Sequence, residues 1–235
     1  MKLSISSSAC SAALERGDLT QLEFIDAAAR ELHADGVVLH LRHFPRTDAD
    51  YLAQIKKMAV DLGLCVAALA SDDFFTADEG EMREQIACAL GAGAPILSAR
   101  LAAETSLPWS EQLARINVAT GLAKAANVTL AVRNAPSTFA ATAHDCKRVS
   151  KEADSAWLRF ALDPAAFDAA GDWTALLERA VLAVESIQAA PSPARWTAFN
   201  GFVVLASAGA TTIPEMNEAM RQWRTARANL ELNRI

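Results

Sequence analysis

Histidine occurs only four times in this 235-residue chain, cysteine four times and tyrosine once, so several chemistries are short of material. The cysteines (Cys10, Cys65, Cys88, Cys146) are scattered, with no C-x-x-C pair and no histidine at zinc-binding spacing. That excludes a structural zinc motif and a disulfide framework. Cys65 and Cys88 sit in apolar runs and read as small core residues. Reduced thiols suit a cytoplasmic protein. No run approaches the roughly 18 apolar residues of a membrane span, and the serines at 6–8 interrupt any leader-like stretch after Lys2. No G-x-G-x-x-G follows the first strand-like run, which removes the usual dinucleotide fingerprint. Positive charge is in deficit, 22 Lys and Arg against 28 Asp and Glu, and the net charge of -6 opposes a nucleic-acid or anionic-membrane surface.

What is present is apolar material, 52% of the chain, arranged with regularity. Short β-rich runs at 3–7, 36–41, 64–70, 95–99, 128–133, 158–162, 181–187 and 201–206 alternate with helical stretches. The helices are expected at 20–34, 48–62, 79–90, 109–126, 141–152, 173–179 and 214–230. Thr20 with Glu23 forms a capping-box pattern, Asp48 opens its helix, and Gly63 and Gly91 read as helix stops. The run Leu64-Cys65-Val66-Ala67-Ala68-Leu69-Ala70 is nearly all apolar, as a parallel strand buried on both faces requires. Eight units in 235 residues leave about 29 residues each, which favours one closed (β/α)8 barrel, a TIM barrel, over an open sheet. No linker divides residues 1–235. The proline-rich patch at 189–193 implies a shortened seventh unit, with at most a short helix at 193–199. The five tryptophans fall mostly on helix or loop positions and suit packing around a barrel better than a stacking platform.

Gly36-Val37-Val38-Leu39, His43-Phe44-Pro45, Tyr51-Leu52 and Leu62-Gly63-Leu64 follow one another in order. After them come Asp72-Asp73-Phe74, Ala89-Leu90-Gly91-Ala92, the run from Val128 to Asn134, Leu162-Asp163-Pro164 and Gly201-Phe202. This succession resembles the xylose isomerase-like sugar phosphate isomerase/epimerase superfamily. The resemblance implies a TIM barrel whose mouth holds a divalent metal such as Mn or Zn, and a carboxylate that moves a proton between neighbouring carbons. Carried over by position, the ligand set is mostly missing. The second-strand Glu falls on Val38, the fifth-strand Glu on Arg133 and the His after it on Ala135. The sixth-strand Asp is kept as Asp163. Glu185, Ser186 and Gln188 stand near the seventh-strand His position, and the last-strand Glu falls near Ala206 or Ser207. One oxygen ligand cannot hold a catalytic dication, so no metal cofactor is expected. The endonuclease branch of the superfamily, with its many His and acidic ligands, is disfavoured by four histidines in all.

Arg133 and Asp163 close adjacent strands and can meet at the barrel mouth. Two readings stay open: a guanidinium in the metal's place, clamping a carboxylate or phosphate, or a structural ion pair in a dead site. His40 and Arg42 share strand parity with Val38 and, with His43, form an H-x-R-H cluster that suits an anion. Arg42, Arg100, Arg133, Asn134 and Asp163 are the expected substrate-binding residues, in a mouth made positive within an acidic protein. Glu185 and His40 are the expected acid/base pair if turnover occurs. The functional expectation is a sugar phosphate isomerase/epimerase-like protein with a degenerate metal site. The alternative is a non-catalytic binding protein for a sugar phosphate or carboxylate. The expected partner is a small anionic or sugar-like ligand, not nucleic acid or membrane; a homo-oligomer is compatible with the sequence.

Overall fold

Alternating apolar and amphipathic segments give eight parallel strands in the computed structural model, which describes residues 1–168, 171–207 and 210–232. They are β1 (Lys2–Ser6), β2 (Gly36–His40), β3 (Cys65–Ser71), β4 (Ile96–Arg100), β5 (Thr129–Arg133), β6 (Leu158–Leu162), β7 (Ala180–Ser186) and β8 (Phe202–Ala206). Each pairs with the next, and β8 pairs back onto β1 with Lys2 opposite Phe202. The barrel is closed, so no edge strand is left to manage.

Strand parity separates two apolar populations. Leu3, Ile5, Val37, Leu39, Leu69, Leu130, Val132 and Leu205 pack outward into the large core under the helices. Val38, Ala68, Ala70, Ile96, Ala131, Ala161, Leu182 and Val204 fill the barrel interior. The inner set is unusually small in side-chain volume, and Ser4, Ser6 and Ser98 add to it, all buried. Gly36 belongs here for a steric reason, since a Cβ would lie 2.9 Å from both Ser4 Oγ and the Cys65 carbonyl oxygen.

The helical layer comprises α1 (Ser11–Arg16), α2 (Gln21–Arg30), α3 (Ala49–Asp61), α4 (Glu79–Ala92), α5 (Trp109–Ala126), α6 (Ala143–Ala153) and α7 (Ile213–Leu232). The Thr20–Glu23 capping box opens α2 as its spacing predicts. Gly91 does not stop α4. The helix runs to Ala92, and Gly93 takes the left-handed cap at φ +78°. Gly91 instead permits close helix contact, because a Cβ there would lie 2.8 Å from Leu52 Cδ1 on α3. The short α1 has no strong periodicity and is not anticipated from sequence. Units six and seven are abbreviated: Thr174–Arg179 and Pro193–Trp196 are 3-10 turns rather than α-helices. Trp196 and Trp223 are fully buried in the shell at this thin side of the barrel.

Cys10, Cys88 and Cys146 are buried, and burial pushes the Cys10 and Cys146 thiols up to about 12. Among the described residues no helix is long and apolar enough to cross a membrane.

Candidate functional site

The carboxyl ends of the strands converge on a cavity of about 370 Å³, the usual place for a barrel's site. Arg100 and Arg133 end β4 and β5 as direct register partners, so their side chains rise side by side from one face of the pleat. Asp163 follows β6, and its Oδ2 lies 3.7 Å from Arg133 Nη2. Asp72 follows β3; its carboxylate lies 3.8 Å from Arg100 Nη2 and 3.1 Å from Arg42 Nη1. Asp72 thereby links two arginines. A larger hollow of about 950 Å³ lies outside, between α3 and α4, but no strand-end residue lines it.

Burial and the neighbouring Arg100 hold Arg133 below the usual guanidinium range, against the opposing pull of Asp163. Burial also pushes the Asp163 carboxyl up, and Arg133 draws it back. The pair is therefore partly desolvated, and either member alone would be costly.

His40 is 5% exposed, and its Nδ1 has no hydrogen-bond partner. Burial, opposed by Asp72 and aided by Arg42, His43 and Arg133, lowers its pKa to about 3, so the ring is neutral at pH 7. The adjoining network follows from donor chemistry. Arg42 Nε donates to His43 Nε2 at 3.2 Å, which leaves the ring proton of neutral His43 on Nδ1. That proton points at Ser7 Oγ, 2.9 Å away, which also accepts the His40 backbone N–H at 2.9 Å. Glu15 lies 3.9 Å from His43 Nε2. The resulting Ser7–His43–Arg42 chain is not visible in sequence spacing. Ser7 is completely buried, so it braces the end of β2 rather than meeting a substrate.

Two expected site residues are engaged by the protein itself. Glu185 is on the outward parity of β7, opposite to Leu182, which lies in the inner cluster. Its two carboxylate oxygens accept the indole N–H groups of Trp196 (2.6 Å) and Trp223 (2.9 Å). It borders the cavity, but both oxygens are engaged, so it bridges to the helical shell rather than standing as a free base. Asn134, one residue past the inward Arg133, must turn the other way. It is fully buried, donating to the Asp163 carbonyl at 2.8 Å and accepting the Asp163 N–H at 2.7 Å. Asn134 positions Asp163 and offers no group to a ligand. Arg42, Arg100, Arg133, Asp163 and His40 do line the cavity together.

The resemblance implies a metal in this mouth, and the donor set does not fit one. Val38 lies in the apolar interior, Ala135 and Ala206 have nothing to donate, and Arg133 brings a cation. Ser186 and Ser207 are tied to Gln188, whose amide bonds both at 2.8 and 2.7 Å. Among the described residues no three His, Cys, Asp or Glu side chains group to hold an ion.

Solved structures similar to this chain include the probable 3-DHS dehydratase AsbF, involved in petrobactin synthesis, from Bacillus anthracis. Its TM-score is 0.75 at 15% identity, covering 94% of this chain and 98% of that one. A D-psicose 3-epimerase with D-tagatose, from Clostridium cellulolyticum H10, has TM-score 0.74 at 12% identity and covers 100% and 98%. An AP endonuclease, family 2, from Brucella melitensis has TM-score 0.72 at 15% identity and covers 96% and 99%. At such identities the likeness is one of fold. No curated protein matches the sequence. The family model described as xylose isomerase-like TIM barrel matches residues 27–222. With the closed eight-stranded barrel and the in-order strand-end residues, that match means that the chain belongs to the xylose isomerase-like TIM barrel family.

Proposed function

We propose that this barrel binds a small sugar-derived anion, a sugar phosphate or carboxylate, in its mouth without a metal. The observation that carries the reading is the side-by-side placement of Arg100 and Arg133. Two like charges at adjacent register positions repel, and a partly buried mouth amplifies the repulsion. Each has one carboxylate nearby, at 3.8 and 3.7 Å, beyond hydrogen-bond length, so guanidinium N–H groups remain for a ligand. An anion between them relieves the repulsion and takes up those donors.

The same geometry favours binding over isomerase-type turnover. Proton transfer between sugar carbons needs a base, and Glu185 is engaged by two indoles. His40 is a weak base with its pKa near 3. Turnover is the second reading, supported by family membership and by the fold shared with a D-psicose 3-epimerase. Thermal unfolding with sugar phosphates and sugar acids, alongside metal analysis after incubation with Mn2+, tests the proposal. Anion-dependent stabilisation lost in Arg133→Ala supports it; one bound Mn2+ or Zn2+ per chain would sink the metal-free site.

A further inference from the structure

We infer that the anion bound in the mouth is the carboxylate of a monosaccharide-sized polyhydroxy acid, not a phosphate ester. This inference rests on the anion-binding reading above and narrows its ligand class. Charge is the first argument. Arg42, Arg100 and Arg133 face Asp72, Asp163 and Glu185 around the mouth, three positive charges against three negative. Glu15 touches Arg42 from the exposed rim, and Glu185 borders the cavity with both oxygens accepting indole N–H groups. A carboxylate monoanion adds the least negative charge to that balanced set. A phosphate ester carries about -1.5 to -2 at pH 7 and would put up to twice that added negative charge beside Asp72 and the half-buried Asp163.

Shape is the second argument. Adjacent strands stand about 4.8 Å apart, so register partners on them bring two guanidiniums within reach of one small group. The tetrahedral oxygens of phosphate need donors on a third side. The other lining groups bring no further cation: His40, with an unpartnered Nδ1 in a ring 5% exposed, the Ser8 hydroxyl and Glu185. An uncharged imidazole can donate or accept one hydrogen bond at each nitrogen, which matches a hydroxyl beside the carboxylate. The cavity of about 370 Å³ is at the small end for ligand sites, which sets the size to one sugar unit.

Isothermal titration of the full chain with D-gluconate, D-glucose 6-phosphate, acetate, inorganic phosphate and D-glucose tests the inference. Gluconate is expected to bind about tenfold tighter than glucose 6-phosphate at pH 7.5, and glucose not at all. Arg100→Gln, at an exposed position whose loss does not threaten folding, is expected to weaken gluconate about tenfold or more. His40→Phe is expected to weaken gluconate but not acetate. Tighter binding of glucose 6-phosphate, strengthening as pH rises through its second ionisation near 6, would overturn the carboxylate assignment while leaving the anion site intact. No binding by any of the anions, or binding indifferent to Arg100→Gln and Arg133→Gln alike, would remove both readings.

Discussion

Arg100 and Arg133 are register partners on β4 and β5, and each is answered by a carboxylate from a different loop, Asp72 at 3.8 Å and Asp163 at 3.7 Å. Their environments differ, with 48% of the Arg100 side chain exposed against 29% for Arg133. Removing each should therefore affect the ligand-free protein differently. Arg100→Gln relieves a like-charge contact at an exposed site and should shift stability by no more than about 0.5 kcal/mol. Arg133→Gln strands the partly buried Asp163 and should cost about 3 kcal/mol. Urea unfolding of both variants decides; equal costs would mean that the two arginines are not distinguished by burial as described.

His40 ties stability to pH. Its imidazole stays neutral in the fold down to about pH 3, whereas it protonates near 6.5 when unfolded. The unfolded chain thus holds the extra proton between these values. The stability contribution is complete above pH 6.5 and is lost as pH falls toward 3, by up to about 1.4 kcal/mol per pH unit. His43, also lowered by burial, adds a loss of the same sign. Unfolding free energies measured from pH 7.5 to 5 should fall with acidification, and His40→Gln should flatten that slope. An unchanged slope in the variant would contradict a buried neutral His40.

Glu185 holds Trp196 and Trp223 together where units six and seven lack α-helices. Glu185→Ala leaves two buried indole N–H groups unpaired and should cost about 3 kcal/mol or more, with altered tryptophan emission. Anion affinity, measured on the folded fraction, should change little. A stable variant that fails to bind would instead place this carboxylate in the mouth.

The barrel was legible because its signals are local and periodic. Runs such as that of β3, buried on both faces, and caps such as Thr20 with Glu23 need no knowledge of distant contacts. The site was legible where a strand end fixes direction, as for Arg133, Asp163 and Arg100. It was not legible where facing depends on register. The run from Val181 to Val184 is apolar throughout and carries no alternation, so nothing local says that Glu185 turns toward the helices. The Ser7–His43 bond joins residues 36 apart, a contact that no spacing rule anticipates.

Asn134 supports the site from behind, extending the β5–β6 ladder through its amide. Asn134→Asp replaces the donor to the Asp163 carbonyl with an acceptor and buries a charge. A loss of about 2 to 3 kcal/mol is expected, together with weaker anion binding as Asp163 and Arg133 lose their fixed spacing. Chemical denaturation and titration on the same preparation check both parts. Wild-type stability in this variant would show that the amide does not hold the strand end.

The most direct test of the central claim is thermal unfolding with D-gluconate, with and without EDTA, in wild type, Arg100→Gln and Arg133→Gln. The metal-free anion site predicts a gluconate-dependent rise in Tm that EDTA leaves unchanged and that each substitution reduces at a fixed gluconate concentration. A rise that vanishes with EDTA and survives loss of either arginine would contradict it.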